Sequence, residues 1–334
     1  MIIQLTPSFR VRGGQSQLEA QDLDAASIDL GGDQPRPDAL DSHVLTDTTP
    51  AGQAEHVTPW LAAGWSLPDV EDLCAQIRLK HRQAVFAEKQ RKSIELRLGA
   101  FLRVNYFGWS KDQSEAERAK RAKAAAALVD RVAKWVKASA KGKDGDRPAV
   151  DPEVEMLIVA TLESSGSWRL MEDGLLKNME RLAKGLPGYQ FVVDVPGFGL
   201  RSFARIIGET GALHLYASPA KVWKRLGLAV MDGERQRKYA NVEMAAIHGY
   251  NPARRSVSWV AFEPILKHQP KDGNMPQRVD YDRKKVEYAT RVYADGPNAG
   301  KAWPPIHCHR AASRYAEKRL IRDLWAAWRR DIGP

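Results

Sequence analysis

The sequence predicts a mainly α-helical protein: a disordered acidic leader, a helical arm and a compact C-terminal domain containing a helix-hairpin-helix. Three observations lead there. Apolar residues from Val70 onward recur at helical spacing. Helix-start signals at Ser66–Pro68, Ser218-Pro219 and Asn251-Pro252 punctuate the chain. Only Phe191-Val192-Val193-Asp194-Val195 alternates with period two for any length.

Each element follows in order. Residues 1–65 form the predicted leader: Gly13-Gly14, Gly31-Gly32, Pro35, Pro37, Pro50 and Pro59 lie among Asp, Ser, Thr and Gln with no sustained apolar period. Its acids, Asp22, Asp24, Asp29 and Asp33, lack the long apolar strands that frame a nuclease metal site, and only Ile2-Ile3-Gln4-Leu5 is strand-like. Residues 66–141 are the arm. Ser66 suits an N-cap and Pro68 a first turn; Val70, Leu73 and Ile77 and then Ile94, Leu98 and Leu102 mark apolar faces on either side of a polar, basic run from Lys80 to Lys92. A second helix over 111–141 is expected to turn Ala119, Ala126, Val129, Val132, Ala133 and Val136 to one side. Residues 142–150 read as a linker, and 151–190 as a helical connector closed by Gly185-Leu186-Pro187-Gly188. Residues 191–334 form the last domain. Its final helix, His309 to Arg330, is expected to bury Tyr315, Leu320, Leu324 and Trp328 and to keep Arg310, Arg314, Lys318, Arg322 and Arg329 wet.

Composition bounds the function. A chain of 334 residues, 43% hydrophobic and 28% charged, can bury a real core in one to three domains and is neither collagen-like nor wholly disordered. No window approaches the roughly 18 uninterrupted apolar residues of a membrane helix. Two cysteines, Cys74 and Cys308, are too few for a disulfide framework or a Cys-rich zinc site. With no basic, apolar secretory signal at the start, the expected setting is cytoplasmic, without membrane contact. The net charge of +10 is uneven. Residues 1–60 carry three basic and nine acidic side chains, net −6, which leaves +16 on residues 61–334. A basic body suits a polyanion, because each Lys or Arg set against a phosphate releases a condensed counterion.

The most informative stretch is Val195-Pro196-Gly197-Phe198-Gly199, followed by the Ala/Ile-rich helix Leu200–Glu209, the pattern of a helix-hairpin-helix. Glycines let backbone approach a phosphate, the next helix offers its free N–H groups, Arg201 and Arg205 add charge and Ser202 a hydroxyl. Such a contact grips the backbone without reading sequence. Lys221, Lys224 and Arg225 follow a helix start beside Trp223 and Leu226. Arg235, Arg237 and Lys238 lie with Tyr239 in an expected loop, a pairing that suits backbone contact with stacking. Asn251, Arg254 and Arg255 flank another helix start. The first two of these basic sets read equally as solvated charged surface, the third favours contact, and the hairpin has a ligand-free turn between packed helices as its alternative. His307-Cys308-His309 has no second ligand pair at zinc spacing, and Asp280, Asp282 and Asp295 form a thin carboxylate group, so no metal or cofactor is expected.

Residues 192–228 also carry a family resemblance. Pro196-Gly197-Phe198-Gly199, Ser202, Ala204, Ile206-Ile207-Gly208-Glu209-Thr210-Gly211, Tyr216-Ala217-Ser218-Pro219-Ala220-Lys221 and Leu226-Gly227-Leu228 run without a gap, with Gly249-Tyr250-Asn251-Pro252-Ala253-Arg254-Arg255 downstream. The stretch resembles the C-terminal domain of the DEDD-type, bridge-RNA-guided insertion-sequence transposases, over residues 155–265. That resemblance implies a DNA-binding scaffold of a phage or mobile element, DNA recombination and transposition as the related activity, and a coiled-coil arm before Pro196. Two features depart from it. Nothing in residues 1–150 matches the family's RuvC-like domain with its four metal-binding acids. The segment Ala229-Val230-Met231-Asp232-Gly233-Glu234 holds no serine where the family places its catalytic one, and Asp232 cannot form a phosphoserine-type link.

The expectation is therefore a DNA-binding protein, with RNA as an alternative partner and self-association through the long amphipathic helices. Two rivals remain: an active recombinase using Ser256, Ser258 or partner-supplied acids, and a structural or assembly protein that kept the fold and lost the ligand.

Overall fold

Ser66 starts the first helix as its residue type predicts: its backbone N–H donates to the Asp69 carboxylate at 2.7 Å and Pro68 occupies the first turn. The computed structural model describes residues 66–143, 147–271, 273–294 and 296–333. The predicted leader and Asp295 lie outside the described residues. Helix α1 (Leu67–Phe101) runs unbroken through the polar stretch and is about 52 Å long at 1.5 Å per residue. A π-helical turn, Leu102–Tyr106, ends it. Then follow α2 (Glu115–Ser139) and α3 (Pro152–Ala183), with Ser114 and Asp151 as side-chain N-caps. The expected connector is built mainly on one continuous helix, α3.

Helices α1 and α3 lie antiparallel. Arg91 bridges to Glu172 at 3.0 Å, and Phe86 meets Trp168 edge-on. One end of this pair closes a small core of Leu98, Leu102, Ala125, Leu128, Val132 and Ile158. Here α2 faces inward through Ala125 and Leu128; Ala119 and Ala126, expected on that face, are exposed. Within a run of four alanines no stripe is marked, so the large Leu128 selects the buried face.

The other end of the pair enters the main core. There Val70, Cys74, Ile77 and Ala84 of α1 and Leu176, Met179 and Ala183 of α3 join the C-terminal helices. These are α4 (Tyr189–Asp194), α5 (Leu200–Thr210), a 3-10 turn Leu213–Leu215, α6 (Pro219–Arg225), α7 (Val242–His248), α8 (Pro252–His268), α9 (Pro276–Ala289) and α10 (Pro305–Ile332). The period-two run at 191–195 belongs to α4. Val192 and Val195 are buried and Val193 and Asp194 exposed, an i, i+3 pattern that six residues cannot separate from alternation. The expected loop after Gly233 instead starts as the second strand of a hairpin, β1 (Val230–Met231) and β2 (Glu234–Arg235), turned by Asp232-Gly233 with φ of 48° and 84°. Positive φ at both central residues is the tight-turn geometry that Asp-Gly favours.

Helix α10 begins at Pro305 and runs through the middle of the core, with Leu320, Leu324 and Trp328 buried as expected. Arg314, Lys318 and Arg322, expected to stay wet, are half-buried, and so is Tyr315, expected inside. Each fully buried Leu, Ile or Phe in such a core stabilises by roughly 1.5–3 kcal/mol. Three tryptophans satisfy their N–H groups inside: Trp223 donates to the Lys318 carbonyl, Trp325 to that of Tyr216, and Trp328 to His214 Nδ1, whereas the buried Trp303 N–H finds no acceptor. Among the described residues no helix is long and apolar enough to cross a membrane.

The hairpin glycines have different neighbours. Gly197 has φ +87°, and a Cβ there would lie 2.7 Å from Ile265 Cα and 2.8 Å from the Pro264 carbonyl oxygen of α8. Gly199, the N-cap of α5, has φ −74° and open space beside it. Gly197→Ala should therefore cost more than about 2 kcal/mol, from strain and the clash with backbone. Gly199→Ala should cost no more than about 1 kcal/mol, the difference between Gly and Ala at an N-cap. Urea denaturation of the two variants beside the parent chain checks the contrast.

Candidate nucleic-acid interface

Four of the predicted basic residues converge on one cleft. It is about 530 Å³ in volume and is lined by Leu215, Tyr216 and Ala217, by Lys221, Lys224 and Arg225 of α6, by His248 and Gly249 at the end of α7, and by Arg254 of α8. Pro219 in the first turn and a three-residue spacing put Lys221 and Lys224 on one exposed side of α6. Asn251 caps α8 by accepting the Arg254 N–H at 3.2 Å, which fixes where Arg254 leaves the helix.

Glu209, at the end of α5, orients the two arginines. Arg254 Nε donates to its carboxylate at 3.2 Å, and Arg225 Nε to its backbone carbonyl at 2.9 Å. Both guanidiniums are thus tied through Nε, and their Nη groups make no hydrogen bond among the described residues. A forked pair held this way suits a phosphate, which takes parallel N–H donors. Burial first, then the nearby Arg254 charge, push the Arg225 guanidinium below its ordinary pKa, while burial pushes the Tyr216 hydroxyl up. The cleft is cationic, and water is partly excluded from its floor.

The other oxygen of the Glu209 carboxylate meets His81 Nε2 of α1 at 3.0 Å. Beside it, a Cβ on Gly208 would sit 2.6 Å from His81 Cγ. The Gly208-Glu209 pair is the seat that receives the long helix. The His81 hydrogen bond holds the Glu209 carboxyl below its ordinary range, against burial, with Arg254 adding to the effect.

The remaining predicted residues lie elsewhere or are already engaged. Gly197 is spent on α8, whereas Gly199 is open. Arg201 pairs with Glu180 of α3, Ser202 is half-buried, and Arg205 sits near Glu88 of α1. Arg237 pairs with Glu234 at 3.2 Å and covers the Tyr239 ring; Lys238 is exposed and Arg235 ends β2. Arg255 turns inward to Glu317 at 2.8 Å. Ser256 donates to the Ala253 carbonyl and Ser258 is buried beside Arg255. His307 and His309 share hydrogen bonds with Tyr293 and Tyr281. Asp280 pairs with Arg283 and Arg319, and Asp282 with Arg278. No group of three or more His, Cys, Asp or Glu gathers at metal-binding distance among the described residues. Leu215, Tyr216, Glu209 and His81 were not singled out from the sequence as site residues, although Gly208-Glu209 stood inside the family-like motif.

Glu209→Gln should lower stability at neutral pH by about 1–3 kcal/mol, because two partly buried donors lose an anionic acceptor. A depressed carboxyl pKa stabilises the fold above the unfolded value near 4.3, and that contribution disappears as pH falls through the folded value. The gap between parent and variant should therefore close on acidification below about pH 4.3, as denaturant titrations across pH will read.

No protein-family model, curated protein or solved structure matches this chain, so a functional reading rests on the chemistry of the cleft itself.

Proposed function

We propose that this protein grips the phosphate backbone of a nucleic acid, DNA first, through the cleft between α6, the end of α7 and α8. The observation that carries the reading is the convergence of Lys221, Lys224, Arg225 and Arg254 on one concavity with both arginines pre-oriented by Glu209. Exposed Leu215 and half-buried Tyr216 on the opposite wall add apolar surface against which a sugar or base can rest. The resemblance of residues 192–228 to the transposase domain supports the same assignment and a mobile-element setting.

In this reading the hairpin acts at one remove. Gly197 brings the turn onto α8, and α5 delivers Glu209 to the arginines. Open Gly199 at the start of α5 leaves room for a second backbone contact. The rival assembly role draws on the α1–α3 pair, where Leu96 and Leu170 are 73% and 77% exposed. Self-association along that arm is compatible with a nucleic-acid grip in the same chain.

Titration of labelled duplex and single-stranded DNA at several salt concentrations tests the proposal. Affinity should fall steeply with salt, and the Lys221→Ala, Lys224→Ala double variant should flatten the duplex log–log slope by up to about 1.8, roughly 0.9 for each phosphate that is no longer neutralised. Absence of salt-sensitive binding to duplex, single strand and RNA alike would refute it and leave the assembly role.

A further inference from the structure

One side of α1 carries a row of cations. Arg78, Arg82, Lys89 and Arg103 share a single face of this helix and its terminal π-helical turn. The positions between them on that face, at steps of three or four residues, hold Val85, Ser93, Leu96 and Ala100, so no acid interrupts the row. Arg82 and Lys89 are exposed, Arg78 and Arg103 half-buried. None of these four side chains makes a hydrogen bond or ion pair among the described residues. Their neighbours differ: Arg91 is neutralised by Glu95 and Glu172, and Lys92 by Glu88.

At one end the row adjoins the cleft. The Arg78 side chain lies along Gly211, whose missing Cβ would stand 3.5 Å from Arg78 Cδ and Nη1, and His81, nearly a turn further on, is held by Glu209 at 3.0 Å. Burial raises the Tyr216 hydroxyl pKa, and the charges of Arg225, Arg78 and Arg254 together act against it, so Arg78 adds to the field of the cleft. At the other end Arg103 lies over the Trp109 ring, 5.8 Å from its centroid, and its enclosed Nε has no acceptor. From Arg78 to Arg103 the helix rises roughly 37 Å at about 1.5 Å per residue. That is close to one turn of a B-form duplex, about 34–36 Å.

We infer that this row is a track for double-stranded DNA, which is gripped at the Lys221–Arg254 cleft and lies along α1 as far as Arg103. The inference rests on the cleft reading and adds to it a second contact about one helical turn away. Two features select the ligand. No position of the row carries an aromatic ring, so it offers charge without the stacking surface that single strands use. A second copy of the chain laid on the same face would cover the exposed Leu96 but bring like cations together, whereas a polyanion releases a counterion at each of them.

Binding of the full chain to duplexes of about 8 and about 20 base pairs, one shorter and one longer than a turn of about 10.5, tests this. Each is titrated at several salt concentrations. The longer duplex should bind with the steeper log–log salt slope. In the Arg82→Gln, Lys89→Gln variant, altered at two exposed positions of α1, that slope should flatten by up to about 1.8, roughly 0.9 for each phosphate no longer neutralised. The difference between the two lengths should shrink accordingly. The Lys221→Ala, Lys224→Ala variant should flatten the slope on both lengths. A long-duplex slope unchanged in Arg82→Gln, Lys89→Gln but flattened in Lys221→Ala, Lys224→Ala overturns the track and leaves the cleft reading standing. The reverse pattern overturns the cleft reading and, with it, a track that starts there. A single strand that steepens as much on lengthening, and loses as much in Arg82→Gln, Lys89→Gln, overturns the duplex assignment.

Discussion

Glu209 takes hydrogen bonds from three separate helices. His81 brings in α1, Arg254 brings in α8, and Arg225 of α6 reaches its carbonyl. The neighbouring Gly208 makes this possible, since any side chain there would occupy the position of the His81 ring. One dipeptide at the end of α5 therefore decides both where the arm helix docks and how two cleft arginines are aimed. A half-buried carboxylate beside two arginines is a low-cost way to hold like charges near each other, because it partly offsets the repulsion between Arg225 and Arg254.

The hairpin shows how one glycine pattern serves two purposes. A Pro-Gly-x-Gly turn before a helix reads as a phosphate grip because glycine admits close approach. At Gly197 the partner that approaches is the backbone of α8, at the internal Pro264. The hairpin thereby locks α5 to α8, and the cleft opens between α8 and α6.

Charge is divided unequally over the basic body. Many of its cations are paired at the surface, as Lys92 is with Glu88 and Arg237 with Glu234, where an exposed pair contributes little. The cleft differs, because its cations outnumber the one carboxylate that faces them. Cations paired within the fold and cations gathered in the cleft are separate populations among the described residues, and only the three-dimensional arrangement sorts them.

Local signals in the sequence determined the helical class, the starts of α1, α6 and α8, and the buried stripe of α10. Caps, prolines and i, i+3, i+4 spacing act within one or two turns and need no distant partner. The same locality explains what could not be read. Within Ala124–Ala127 no residue marks a face, six residues at 189–194 fit two periods, and Asp232-Gly233 is a hairpin signal flanked by strands of only two residues. Lys221, Lys224 and Arg225 were legible as a basic cluster because they share a short helix. Their union with Arg254, the inward turn of Arg255 to Glu317, and the docking of His81 on Gly208-Glu209 join residues tens to more than a hundred positions apart. Such pairings follow from which helices pack together, and that packing depends on the shape of whole apolar faces. The sequence by itself thus determined the elements and the supply of positive charge; only the tertiary structure decided which charges are neutralised inside and which gather in the cleft.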